Sequence, residues 1–177
     1  MGRLCIFLQT EVLFVRDHGF QHSPAIERYA YSLKAIGISS RAFGWDRDAN
    51  LPKFEHRNGL MIQRFKMFKA PSKSIRVIWG LLFWQIRIFF LAISAKEKII
   101  HACDFNCAPA CLLGGLISRK KVIYDMRDPI SASFKFGKLG HVLNKIEKFF
   151  TNHSSFVIIP DEIRMQFIGS RAENSKV

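Results

Sequence analysis

The chain reads as an α/β domain, a doubly wound, mostly parallel Rossmann-like sheet with helices on both faces. Short apolar runs alternate with segments of helical period along most of the 177 residues, the alternation that builds parallel sheets. One stretch, Ile99 to Asp128, holds a whole unit. The runs Lys98-Ile99-Ile100-His101-Ala102 and Val122-Ile123-Tyr124 flank Cys107 to Ser118, which is mostly small and apolar and long enough for one crossover helix. Each run ends in acid- and base-bearing residues. A crossover puts both strand ends on one edge of the sheet, where such sheets bind ligands. His101, Asp104, Asp125, Arg127 and Asp128 are therefore expected to converge on one cleft.

The elements follow in order. Arg3 to Gln9 is an apolar run that reads as the first, buried strand. Thr10 to His22 then reads as a loop; it holds Gly19 but no Gly-x-Gly-x-x-Gly, so a dinucleotide turn is not expected. Ser23-Pro24 starts a helix as N-cap and first helical residue. Ile26, Tyr29, Ala30, Leu33 and Ile36 keep its period, and Gly37 ends it. Ile38 to Trp45 is the second strand, Asn50 to Asn58 a polar loop, Gly59 to Phe65 a third strand and Lys66 to Ser74 a basic loop. Beyond the central unit, Pro129 to Lys135 is a loop and Lys138 to Asn152 an amphipathic helix. Ser155 to Pro160 is a last strand, and Asp161 opens a short helix.

Ile75 to Ala95 is the most hydrophobic stretch and has the length of a bilayer span. Arg76, Gln85 and Arg87 argue against a span, because an arginine near the centre costs about 2.5–3.5 kcal/mol. A helix packed on the sheet, with both arginines at its outer edge, carries no such cost. A helix lying in a membrane interface also suits Trp79, Phe83, Trp84, Phe89 and Phe90 beside arginines.

Cys103, Cys107 and Cys111 are spaced four apart and would share one face of a helix. Zinc and cluster patterns use other spacings, only His101 offers a fourth ligand, and Pro109 interrupts the run. They read as core cysteines, and no metal is expected. Met1 to Leu8 is too short for a signal peptide and has no cleavage site, so a reducing cytoplasm is the expected compartment.

Hydrophobic residues make up 49% of the chain and mean hydropathy is +0.06, which exclude a disordered chain. The formal charge of +13 gives a field that attracts phosphates on nucleic acid, anionic lipid or a sugar–phosphate ligand. Nucleic acid is set aside. No recognised motif is present, and the 17 Phe lie mostly in apolar runs rather than among basic loops.

Several signals occur in the order of a known family. Leu33-Lys34-Ala35-Ile36-Gly37 precedes the second strand, and Trp45-Asp46-Arg47 follows it. His101-Ala102-Cys103-Asp104 and Tyr124-Asp125-Met126-Arg127-Asp128 end the next two central strands. Glu147 and Val157-Ile158-Ile159-Pro160-Asp161-Glu162 with Arg164 close the chain. In these the sequence resembles the N-terminal domain of the glycosyltransferase family 4 group, retaining, nucleotide-sugar-dependent enzymes of the GT-B fold. The resemblance covers nearly the whole chain. Two departures stand out: no Gly-rich turn is evident in Leu8 to Gly19, and the Glu-x7-Glu signature of the donor-binding second domain is absent.

The resemblance implies that residues 1–177 form one acceptor-side domain, inactive without the C-terminal nucleotide-sugar domain. Asp125 is then the catalytic candidate, a carboxylate able to orient an acceptor hydroxyl or stabilise charge at the anomeric carbon; an N-cap or a partner for Arg127 is the plain alternative. His101, Asp104, Arg127, Asp128, Arg16 and His22 are candidates for sugar hydroxyls and phosphates. The resemblance implies no metal and no cofactor beyond the nucleotide-sugar co-substrate. Expected partners are a sugar or lipid-linked acceptor, the donor-binding domain or subunit and an anionic membrane surface, placing the chain at the inner face of the cell membrane. The competing expectation is a non-catalytic Rossmann-like module that binds membrane or a partner.

Overall fold

A computed structural model describes residues 11–21, 23–67, 76–128 and 138–168. Its central strand is β1, Val12–Arg16, whose first four residues are buried. On one side β1 pairs in parallel with β2, Ser40–Asp46, which pairs in parallel with β4, Leu60–Lys66; β3, Phe54–Arg57, runs antiparallel at that edge. On the other side β1 pairs in parallel with β5, Ile99–Cys103, followed by β6, Lys121–Asp125, and β7, Phe156–Ile158. The order is β3-β4-β2-β1-β5-β6-β7. Helix α1, Pro24–Ala35, covers one face; α2, Arg76–Ser94, and α3, Ala108–Ile117, cover the other, with α4, Lys138–His153, beside α3. The doubly wound expectation holds.

Two boundaries are corrected. The run expected as the first strand, Arg3 to Gln9, lies outside the described residues up to its end, and the segment read as loop from Thr10 to His22 contains β1 itself. Val12-Leu13-Phe14-Val15 is the more β-branched and aromatic run, and it leaves only a short connection to α1. The polar stretch Asn50 to Asn58 contains β3. Asn58 and Gly59 both have positive φ, 51° and 83°, as a two-residue hairpin turn requires, and join β3 to β4.

Periodicity explains the packing. Leu13, Val15, Phe43 and Trp45 meet Trp84, Ile88, Leu91 and Ala92 of α2 on one face. Val12, Phe14, Ala42 and Ile62 meet Ile26 and Ala30 of α1 on the other. Trp84 is fully buried and lies flat against Phe43, with centroids 5.6 Å apart and planes 4° apart. Arg87 is not at an outer edge: its guanidinium lies over the rings of Phe43 and Phe65, at 5.4 and 5.9 Å. Gly114 lets α3 approach α2, since a Cβ there would stand 2.6 Å from Ala92 Cβ. Helix α1 ends as expected, with Gly37 at φ 81° and the Ile38 amide donating to Leu33.

The cysteines do not share a helix face. Cys103 ends β5, Cys107 is the N-cap residue of α3 and Cys111 lies within α3; all three are buried and free. Burial pushes their thiols up, Cys103 and Cys107 strongly.

Candidate functional site

The chain leaves β1 for β2 and the β4 side, then returns through α2 to β5 on the opposite side of β1. The switch in direction therefore falls between β1 and β5, and a ligand crevice is expected at their carboxyl ends. That edge carries Arg16, Asp17 and His18 at the end of β1, Asp46 and Arg47 at the end of β2, Cys103 and Asp104 at the end of β5, and Asp125 to Arg127 at the end of β6.

Asp125 ends β6 with its side chain on the α1 face, beside the odd-numbered residues of β5. It is only 3% exposed. Its Oδ2 lies 3.1 Å from His101 Nε2 and accepts from Arg127 Nε and Nη2, each at 3.3 Å. Burial, the largest influence, pushes the Asp125 carboxyl up, yet His101 and Arg127 together outweigh it and hold the group below its ordinary value. The His101 ring is fixed in turn by Phe14 and Tyr29, with centroids 5.0 and 5.6 Å away. Of the three charged or titratable members, Arg127 is the one that reaches the surface.

Asp104 sits between the two flanks. Its φ is +66°, its amide donates to the Asp125 carbonyl at 2.9 Å, and its own carbonyl accepts the amides of Cys107 and Ala108 as α3 begins. Backbone, rather than side chain, thus starts the crossover helix. Burial pushes the Asp104 carboxyl up to about 6, against the pull of Arg127 and Arg16 and with the push of Asp17 and Asp125. A carboxyl in that range can take or give a proton near neutral pH.

A second cluster was not expected from the sequence. Buried Asp17 accepts from Arg47 Nη2 at 2.5 Å and from Asn106 Nδ2 at 2.8 Å, both on Oδ2. Arg47 Nε also donates to the Asp17 carbonyl, and the guanidinium lies 4.9 Å from the Trp45 ring centroid. Burial chiefly pulls the neighbouring His18 imidazole below its ordinary value. Between this cluster and the end of β2, His18, Gly19, Gln21, Asp46, Arg47 and Asp48 line a polar pocket of about 270 Å³. Its sequence signal is Arg16-Asp17-His18 directly after Val12-Leu13-Phe14-Val15, which marks a strand end only when β1 begins at Val12 rather than Arg3.

The predicted residues divide as follows. His101, Asp125 and Arg127 are brought into contact, and Asp104 joins them through the backbone. Arg16 reaches the same edge, but its Nη1 donates to Ser23 Oγ at 2.5 Å and braces the start of α1; its buried Nε has no partner among the described residues. Asp128 lies at an exposed rim and accepts from Arg164 Nη2 at 3.2 Å, while Arg164 also pairs with Asp161. His22 lies outside the described residues.

His101, Cys103 and Asp125 each place one possible ligand atom within 4.8 Å of the others. Arg127 already pairs with this carboxylate through Asp125 Oδ2, and burial pushes the Cys103 thiol well up, which opposes the thiolate a metal would need. The set fits a charge-paired network better than a metal centre.

No protein-family profile matches the chain, and no curated protein matches it in sequence. Solved structures do match. A sucrose-phosphate synthase structure from Thermosynechococcus elongatus superposes with TM-score 0.64 at 11% identity, over 92% of this chain and 82% of that one. A second structure of that enzyme gives 0.54 at 13% identity, over 83% of this chain and 41% of the other. A UDP-N-acetylglucosamine 2-epimerase gives 0.51 at 13% identity, over 90% and 42%. The chain thus spans about two fifths of the latter two. It has the fold of a GT-B Rossmann-like domain.

Proposed function

We propose that the chain is the acceptor-side domain of a retaining, nucleotide-sugar-dependent glycosyltransferase of the family 4 type, acting in polysaccharide or glycolipid synthesis at the inner face of the cell membrane. The observation that carries this reading is Asp125, a carboxylate held ionised by His101 and Arg127 beside the switch point of a GT-B-type sheet. In this reading the nucleotide-sugar is a co-substrate bound mainly by a second half, on the same polypeptide or another. No further cofactor or metal is invoked.

Each group then has a role. Arg127, the most accessible member, meets an anionic or hydroxyl group of the substrate first. Its 3.3 Å contacts with Asp125 are long enough to yield, and the freed carboxylate orients an acceptor hydroxyl or faces positive charge at the anomeric carbon. His101 holds Asp125 in place while Arg127 moves. Asp104 supplies an acceptor for sugar hydroxyls, or a proton near pH 6. A second reading, a binding module without catalysis, is favoured by one fact: Asp125 is almost wholly enclosed by its own partners.

The test pairs the full chain with a donor-binding half and measures sugar transfer. Asp125→Asn, with circular dichroism unchanged, is expected to lower turnover at least about a hundredfold. Unchanged turnover removes Asp125 from the chemistry, and no transfer by any pairing favours the binding module.

A further inference from the structure

Helix α2 has two faces, and only one is explained by the sheet. Gly80, Trp84, Ile88, Leu91 and Ala92 are buried, the last four in the core shared with the strands and α3. The opposite stripe, Trp79, Leu82, Phe83, Ile86 and Phe90, recurs at three- and four-residue spacing and is exposed, Trp79 to 60%. Leu113, Leu116 and Ile117 extend it on the adjacent α3. An apolar surface of this extent on a folded domain marks a contact site.

The charges around it are of one sign. From Arg76 to Lys121 the exposed charged residues are Arg76, Lys96, Lys98, Arg119 and Lys121, all basic. Glu97 is buried against Arg41 at 2.8 Å, and Asp104 belongs to the ligand edge. The basic groups cluster at the ends of the stripe. Arg76 opens α2, whereas Lys96 and Lys98 lie beside Arg119 to Lys121, since the Lys121 amide bonds the Lys98 carbonyl and Lys120 Nζ bonds carbonyls at the end of α2.

We propose that the outer face of α2 and α3 docks this chain on an anionic lipid bilayer, with α2 lying in the interface plane and its basic ends on lipid headgroups. The helix is long and apolar enough to cross a membrane. It stays in plane because leaving the sheet would unstack Trp84 from Phe43 and Trp45. Aromatic and aliphatic side chains on one face with cations at the edges are what an in-plane helix presents to lipid. A second copy fits poorly. Two α2 stripes laid antiparallel would set Arg76 against Lys96 and Lys98, and laid parallel would set like ends together. This deepens the membrane side of the function proposed above and rests on it only for the leaflet met.

The experiment mixes the full chain with vesicles of phosphatidylcholine, with or without phosphatidylglycerol, and reads co-sedimentation and tryptophan emission. The chain should sediment with the anionic vesicles, less so in high salt. Emission should shift to the blue, and brominated lipid should quench it. Of the three Trp, Trp45 and Trp84 are fully buried, so the signal belongs to Trp79 and should vanish in Trp79→Phe. Phe83→Glu with Phe90→Glu, both exposed sites, should lower partitioning roughly tenfold or more. Transfer to a soluble acceptor should not change, which separates failure of docking from failure of the sugar reading. No anionic binding, partitioning indifferent to the double variant, unquenched Trp79, or a lipid-free dimer dissolved by the same variant would each overturn the proposal.

Discussion

At the residue scale, Asp104 and Asp125 respond to pH with opposite sign. Asp104 holds its proton in the native state up to about 6, whereas an unfolded aspartate releases it near 3.9. Between these values the native state binds more protons, so stability falls as pH rises. Asp104→Asn removes the buried charge and is at ease at φ +66°. It should be more stable than the parent at pH 7, by up to about 3 kcal/mol, and the gain should close near pH 4; urea melts at the two values check this. A gain independent of pH refutes the assignment. Asp125, held low by His101 and Arg127, contributes stability above the ordinary carboxylate range that is lost on acidification through its lowered value. Asp125→Asn should therefore destabilise at pH 7, by about 1–3 kcal/mol. These two acids, with His101 and Arg127, were legible in the sequence because each follows a short apolar run within a recognisable crossover unit. Asp17 and Asn106 were not, since their contact joins residues 89 apart and depends on where β1 begins.

At the element scale, the α2–α3 pair is held by two devices. Lys120 Nζ donates to the carbonyls of Ala92, Ile93 and Ala95, closing the end of α2. Lys120→Met leaves those acceptors without the amine and should cost about 1–2 kcal/mol, seen as a lower unfolding midpoint. Gly114 is the second, because α3 meets Ala92 and the Phe89 carbonyl where a side chain would stand. Gly114→Val should force the helices apart at about 1–3 kcal/mol, and a variant as stable as the parent would show that they are not in close contact. The helices themselves were readable from period and capping residues, within a residue or two at most ends. The short edge strand β3 is not evident from its own residues, although Asn58-Gly59 is a hairpin signal. Its polar residues, Glu-His-Arg, outweighed the turn. Arg64 explains why such a polar strand is held: its guanidinium is wholly buried and bonds Gly19, Pro52 and Glu55.

At the scale of the whole molecule, the alternation of runs and helices sufficed for the α/β class, because a parallel sheet needs a crossover between neighbouring strands. Strand order was not readable in the same way, since it depends on which edges meet across long stretches of chain. Val12 in β1 lies opposite Ser40 on one side and Ile99 on the other. One partner of the central strand thus emerges soon after it and the other only after α2 has been made. At a synthesis rate of about 5–20 residues per second, one edge of β1 stays without its ladder for roughly 4 to 17 s. By the last part of that interval the ribosome-bound chain carries an open strand and the apolar α2 segment together. The central position of β1 should therefore make the nascent chain depend on chaperones, and refolding from denaturant should be slow and lose yield with rising protein concentration.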